Sequence, residues 1–186
     1  MDWSAIPDDP SRNALAEALV PITATQGWTR AALAQASVAA LPGPDSWRDL
    51  FPRGAVDAIW HISKVSDASM LAAFRHCPAT SLVAVVDERF AQNRDLKPFV
   101  RRVMDFDVLH PLQALRRMQR TARAMYQCLG QSRPGPSFAT LTLLNLLYTM
   151  VVFIWLFDRS PDDRITRGAT RRLMALVLRP APGSAE

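Results

Sequence analysis

At 186 residues, 49% of them apolar, the chain is long enough to bury a real core as one domain or as a domain with a small N-terminal module. Ala, Leu, Arg and Met dominate and period-two runs of β-branched residues are hard to find, so the composition is that of an all-α protein. Cys77 and Cys128 stand alone, without CxxC or framework spacing, and the acidic start MDWSAIPDDP has no apolar segment; the reading is free thiols in a reducing compartment and no signal peptide.

Residues 1–10 read as a frayed leader. A first helix fits 11–25, with Leu15, Ala18, Leu19 and Ile22 on one stripe and Gly27 as its stop. Thr29 suits the N-cap of a second helix over 30–40, with Trp28 stapled onto Leu33. Leu41-Pro42-Gly43-Pro44 is a turn, and a short third helix follows over 45–50. A longer helix over 54–74 turns Val56, Ile59 and Trp60 inward. Further helices fit 79–91, 95–105 (with Phe99) and 111–129. After the loop 130–136 comes FATLTLLNLLYTMVVFIWLF, twenty residues without a charge over 138–157. A last helix starts near Pro161 and ends before Pro180.

Three short helices, a long one, then a bundle is the order of a TetR-type regulator, whose first unit is a helix-turn-helix. The expected organisation is a degenerate helix-turn-helix-like module over 11–53, a helical bundle over 54–178, and flexible ends at 1–10 and 179–186. The third helix would be the reader, and it offers Ser46, Trp47, Arg48 and Asp49. A DNA reader needs exposed Arg, Lys, Asn or Gln in a basic surround. Residues 1–60 instead hold four arginines against seven acids, a balance of −3 in a chain of +5. The module reads as a shape kept for folding, with no nucleic-acid partner; a ligand-responsive transcriptional regulator is the alternative.

The uncharged twenty are long enough to cross a bilayer. They also fit a helix that is apolar all round because it lies in the middle of a bundle. Arg133 before and Arg159 after give little asymmetry, and Thr140, Thr142, Asn145 and Thr149 interrupt the stretch, which favours the central helix. Tyr148, Val152 and Trp155 recur at i, i+4 and i+7. These large side chains fit a plain core as well as the wall of a cavity for an apolar ligand, since bundles bind ligands between their helices; with Trp60 and Phe99 they are the candidate wall residues.

On the last helix Arg164, Arg167, Arg171 and Arg172 gather opposite Ile165, Ala169, Leu173, Leu176 and Val177. That pattern fits a helix lying on an anionic membrane, and equally a solvated helix packed on the bundle. Arg116, Arg120 and Arg123 form a second basic stripe. His61, His76 and His110 are scattered, and neither a P-loop, a GxGxxG nor a metal-ligand spacing is present, so the expectation is no enzyme, no cofactor and no metal.

Several strings taken in order carry a resemblance: Gly27-Trp28-Thr29, then Leu50-Phe51-Pro52-Arg53-Gly54-Ala55-Val56-Asp57, then Ser69-Met70-Leu71-Ala72-Ala73, and Tyr148 followed by Trp155-Leu156-Phe157-Asp158-Arg159-Ser160-Pro161-Asp162. Over about residues 11–178 the chain resembles the bacterial Coq-nine family, the ninth of the Coq ubiquinone-biosynthesis proteins. The resemblance implies a TetR-like fold that has left DNA binding and holds isoprenoid lipid. It implies a non-enzymatic accessory protein, cytoplasmic and peripheral to the inner membrane. Such a protein presents a quinone precursor to the pathway's di-iron hydroxylase, and pairing into a homodimer stays open. The family usually opens its central helix with an aromatic pair and then a basic pair. Here those positions are Ser137-Phe138 and Thr140-Leu141, so only Phe138 matches that partner-docking region. Eukaryotic members add an amphipathic membrane helix after the bundle, where this chain has Pro180 and Pro182, so membrane contact would use another surface.

Overall fold

The computed structural model describes residues 1–6, 9–130 and 135–177. Among them are nine α-helices and no β-strand: α1 (Pro10–Gln26), α2 (Arg30–Ala40), α3 (Trp47–Leu50), α4 (Ala55–Ala73), α5 (Leu82–Gln92), α6 (Lys97–Leu109), α7 (Pro111–Gln127), α8 (Phe138–Phe157) and α9 (Arg164–Val177). The protein is an all-α helical bundle. The expected flexible end at 179–186 and the flanking Arg133 lie outside the described residues.

The helix ends follow local chemistry. The Asp9 carboxylate accepts from the Arg12 N–H at the start of α1, with Pro10 at the first position, where its missing N–H is no loss. Gly27, at φ 71, ends that helix and donates to the Thr23 carbonyl, a left-handed geometry that suits glycine. Thr29 caps α2 through the Ala32 N–H, and Ser81 and Ser137 cap α5 and α8 in the same way. The expected third helix shrinks to one turn. Residues 1–6, expected to fray, are held down: the Met1 ammonium donates to the Gln92 carbonyl (2.9 Å) and the Asp2 N–H to Ser69 Oγ (3.0 Å).

Two apolar cores share α4. The first joins Leu15 and Leu19 of α1, Leu33 of α2 and Ile59 of α4 to Phe99 of α6. The second joins Met70 of α4, Val85 of α5, Met125 of α7, Leu144 and Trp155 of α8 and Met174 of α9. Trp28 packs edge-on against Phe99 (centroids 5.7 Å) rather than serving only as a staple on Leu33.

The uncharged helix α8 is not central. It is long and apolar enough to cross a membrane, yet only 39% of its most apolar window is buried. Its inner face, with Leu144, Val151 and Trp155, packs on α9, α7 and α6. Its outer face, with Leu143, Leu146, Met150, Phe153 and Phe157, is exposed. A helix apolar on every side gives the sequence no stripe from which to read which face is covered.

Candidate functional site

A cavity of about 790 Å³ lies between α4, α5, α6, α7 and α8. Four of the five expected wall residues meet there: Phe99 from α6, and Tyr148, Val152 and Trp155 from one face of α8. Trp60 does not. Its ring is half-buried beneath the Arg120 guanidinium, 4.5 Å from the centroid, outside the cavity. Trp155 forms the deep end, stacked on Phe90 at 4.9 Å with the Lys97 ammonium 5.2 Å over its ring. Phe138, a residue expected at a membrane or partner surface, lines the opposite end and is 76% exposed.

Behind the wall lies an ion-pair network that the sequence reading missed. Arg89 is buried on α5, and its Nη1 meets the Asp67 carboxylate of α4 at 2.8 Å while its Nε donates to the Tyr148 hydroxyl at 3.0 Å. Asp67 also accepts from Arg120 Nε (3.0 Å) and Thr121 Oγ1 (3.0 Å). Burial disfavours the charge on Arg89, but Tyr148 and Asp67 more than offset this and hold its pKa above the ordinary value. Burial pushes the Tyr148 hydroxyl up, so it remains a neutral donor and acceptor. A signal was present: on α5, Arg89 falls in the register of Leu82, Val85, Val86 and Phe90, and a charge in a core register requires a buried partner.

Two polar atoms of the wall have no partner among the described residues: Asn145 Oδ1 and Trp155 Nε1, on side chains 7% and 1% exposed. An unpaired buried polar atom costs on the order of 1–3 kcal/mol. Both atoms are closed off by the packing around them, so neither is presented to the chamber.

The remaining expected surface residues divide. Arg164, Arg167, Arg171 and Arg172 of α9 are all exposed. The covered face of α9 is Thr166, Thr170, Met174 and Val177; Ile165 and Leu176, placed by the sequence on the apolar side of this helix, are 60% and 42% exposed. The stripe of Arg116, Arg120 and Arg123 is broken, because Arg120 turns in to Asp67 while its neighbours stay exposed. His61 is buried against Asn13 (Nε2 to Oδ1, 2.8 Å), and burial lowers its pKa, which keeps the ring neutral. His110 stacks on Phe106 at 3.9 Å. In the N-terminal module Trp47 and Phe51 are packing groups, 6% and 1% exposed, and Arg48 is paired with Asp45 at 2.9 Å.

Fold and cavity together define a helical bundle with a ligand-sized, largely apolar chamber walled by α8. Compared with known proteins, the chain matches no protein-family model and no curated protein.

Proposed function

We propose that the protein is a non-enzymatic isoprenoid-lipid-binding accessory protein of ubiquinone synthesis. It shelters the tail of a quinone precursor and presents it to a membrane-associated di-iron hydroxylase. The observation that carries the reading is the cavity: about 790 Å³, lined by Phe90, Phe99, Val103, Val152 and Trp155, falls within the range of sites that hold drug-sized ligands, roughly 300–1,000 Å³. Each buried CH₂ contributes about 0.8 kcal/mol, so a five-carbon unit contributes roughly 4 kcal/mol. The assignment to ubiquinone synthesis, with the hydroxylase as partner and the membrane as location, rests on the resemblance of the ordered sequence strings.

The competing regulator reading asks α3 to read DNA with one helical turn whose Trp47 is buried and whose Arg48 is tied to Asp45. Native mass spectrometry of the purified protein, with identification of bound lipid, tests the proposal. An isoprenoid of quinone type is the expected result. A lipid-free protein without affinity for quinone precursors overturns it, and a salt-dependent DNA shift would assign the cavity to a regulator's effector.

A further inference from the structure

Ten of the thirteen large apolar side chains exposed among the described residues sit on one corner of the bundle. Val108, Leu109, Leu112 and Leu115 occupy the corner where α6 turns into α7. On α8, Leu143, Leu146, Met150, Phe153 and Phe157 recur at spacings of three and four and make a stripe roughly 21 Å long. Phe138 stands at the start of the same helix. Val108, Leu115, Phe138, Leu146 and Phe153 also line the cavity, so the exposed apolar surface continues into the chamber. Contiguous exposed apolar surface of this kind marks a site of association.

We infer that this corner is a membrane-docking face: α8's outer stripe and the α6–α7 corner set into the headgroup region of an anionic bilayer, with the cavity mouth opening against it. The occupant follows from the rim. Arg101, Arg116 and Arg159 are exposed and make no ion pair among the described residues. The Arg101 guanidinium lies 5.3 Å over the Phe157 ring. Arg159 follows two residues later, and Arg116 is one helical turn from Leu112 at the other end. The acids of the corner are neutralised, Asp105 by Arg102 at 3.6 Å and Asp107 by Arg117 at 2.9 Å. Apolar centre and cationic rim complement a lipid surface with negative headgroups. A second copy fits less well: an isologous contact would set two cationic rims face to face and close both mouths. Nor is α8 free to cross the bilayer, because its inner face is held by α9 and α7. The surface differs from the basic face of α9 suggested by the sequence. It rests on the cavity reading for what it would deliver, while docking itself is measured separately.

The test is co-sedimentation of the purified protein with vesicles of phosphatidylcholine alone and of phosphatidylcholine mixed with phosphatidylglycerol. The wild type pellets with the mixed vesicles. Leu112→Glu combined with Met150→Glu, both outside the cavity wall, weakens that binding by roughly tenfold or more. Replacing Arg101, Arg116 and Arg159 by Gln reduces binding to mixed vesicles to the phosphatidylcholine level. Equal pelleting of wild type and the double variant overturns the inference. So does a dimer in light scattering that the double variant converts to monomer, which would assign the face to a second copy. Native mass spectrometry of the same two proteins reports on the cavity alone, so carriage and docking can fail independently.

Discussion

Arg89 Nε donates to the Tyr148 hydroxyl at 3.0 Å, joining α5 to α8 across 59 residues of chain. The contact ties the cavity wall to the buried network, because the same guanidinium holds Asp67 at 2.8 Å. Among the described residues, Asp67 is the only acid paired with the two buried guanidinium groups, Arg89 and Arg120. Asp67→Ala strands both charges, and breaking a buried pair in this way is worth about 3–5 kcal/mol. Urea unfolding followed by circular dichroism measures it. A loss below about 1 kcal/mol would mean that water reaches the network and that the wall is not built upon it.

Tyr148→Phe separates wall from network. The ring still lines the cavity, but Arg89 Nε loses its acceptor, for an expected loss of about 1–3 kcal/mol. Lipid recovered per protein should stay near the wild-type level, because the apolar ring surface is unchanged. A stability equal to wild type would show that the hydroxyl contact contributes nothing.

Much of this arrangement was legible in the chain. Thr29 and Gly27 fix helix ends by local hydrogen bonding, which sequence records directly, whereas the last helix, expected to start near Pro161, begins at Arg164. The face shared by Tyr148, Val152 and Trp155 follows from helical spacing, and Phe99 from its apolar register. Trp60 was misplaced because its cover comes from Arg120, sixty residues away, a side chain that reads as part of a solvated stripe. Asp162 and Asp163 take left-handed conformations (φ 55 and 52) ahead of α9, and Asp163 pairs with Lys97 at 2.6 Å, a partner on α6 that the local sequence does not show. The exposed side of α8 depends on which neighbours arrive, and uniform apolarity encodes no preference between its faces.

Filling the chamber should abolish carriage without unfolding the bundle. Val152 is half-buried and faces the cavity from the middle of α8. Val152→Trp projects an indole into that space, where a well-packed core would resist it at a loss of about 1–3 kcal/mol. The expected outcome is little change in the urea midpoint and a several-fold drop in bound lipid by native mass spectrometry. A strongly destabilised variant would mean that Val152 is packed core.

The two thiols should separate in reactivity. Burial pushes the Cys128 thiol up to about 11, and the side chain is 3% exposed, whereas Cys77 is exposed. Iodoacetamide at pH 8 should label one cysteine per native chain, identified as Cys77 by peptide mass, and two in urea. Native labelling of Cys128 at a comparable rate would show that the second core opens readily.

Acid should loosen the junction of α8 and α9 through Asp158. This carboxylate is 8% exposed and accepts four hydrogen bonds: Ser160 N–H (2.8 Å), Ser160 Oγ (2.6 Å), Thr166 N–H (2.8 Å) and Thr166 Oγ1 (2.7 Å). Burial alone would raise its pKa, but the bonds from Ser160 and Thr166 outweigh burial and hold the carboxyl well below the usual carboxylate range. A group whose pKa is depressed on folding contributes stability that is complete above its unfolded value, about 3.9, and that fades as pH falls toward the folded one. Asp158→Asn keeps the shape but accepts fewer bonds and carries no charge, so at pH 7 it should lose about 2 kcal/mol. The gap between wild type and variant should be constant from pH 7 to about 5 and shrink as pH falls below about 4. Urea midpoints at pH 7, 5 and 3 measure it. A gap that stays constant down to pH 3 would place the loss in packing, and the ionised cap would then not be what fixes α9 onto the wall helix.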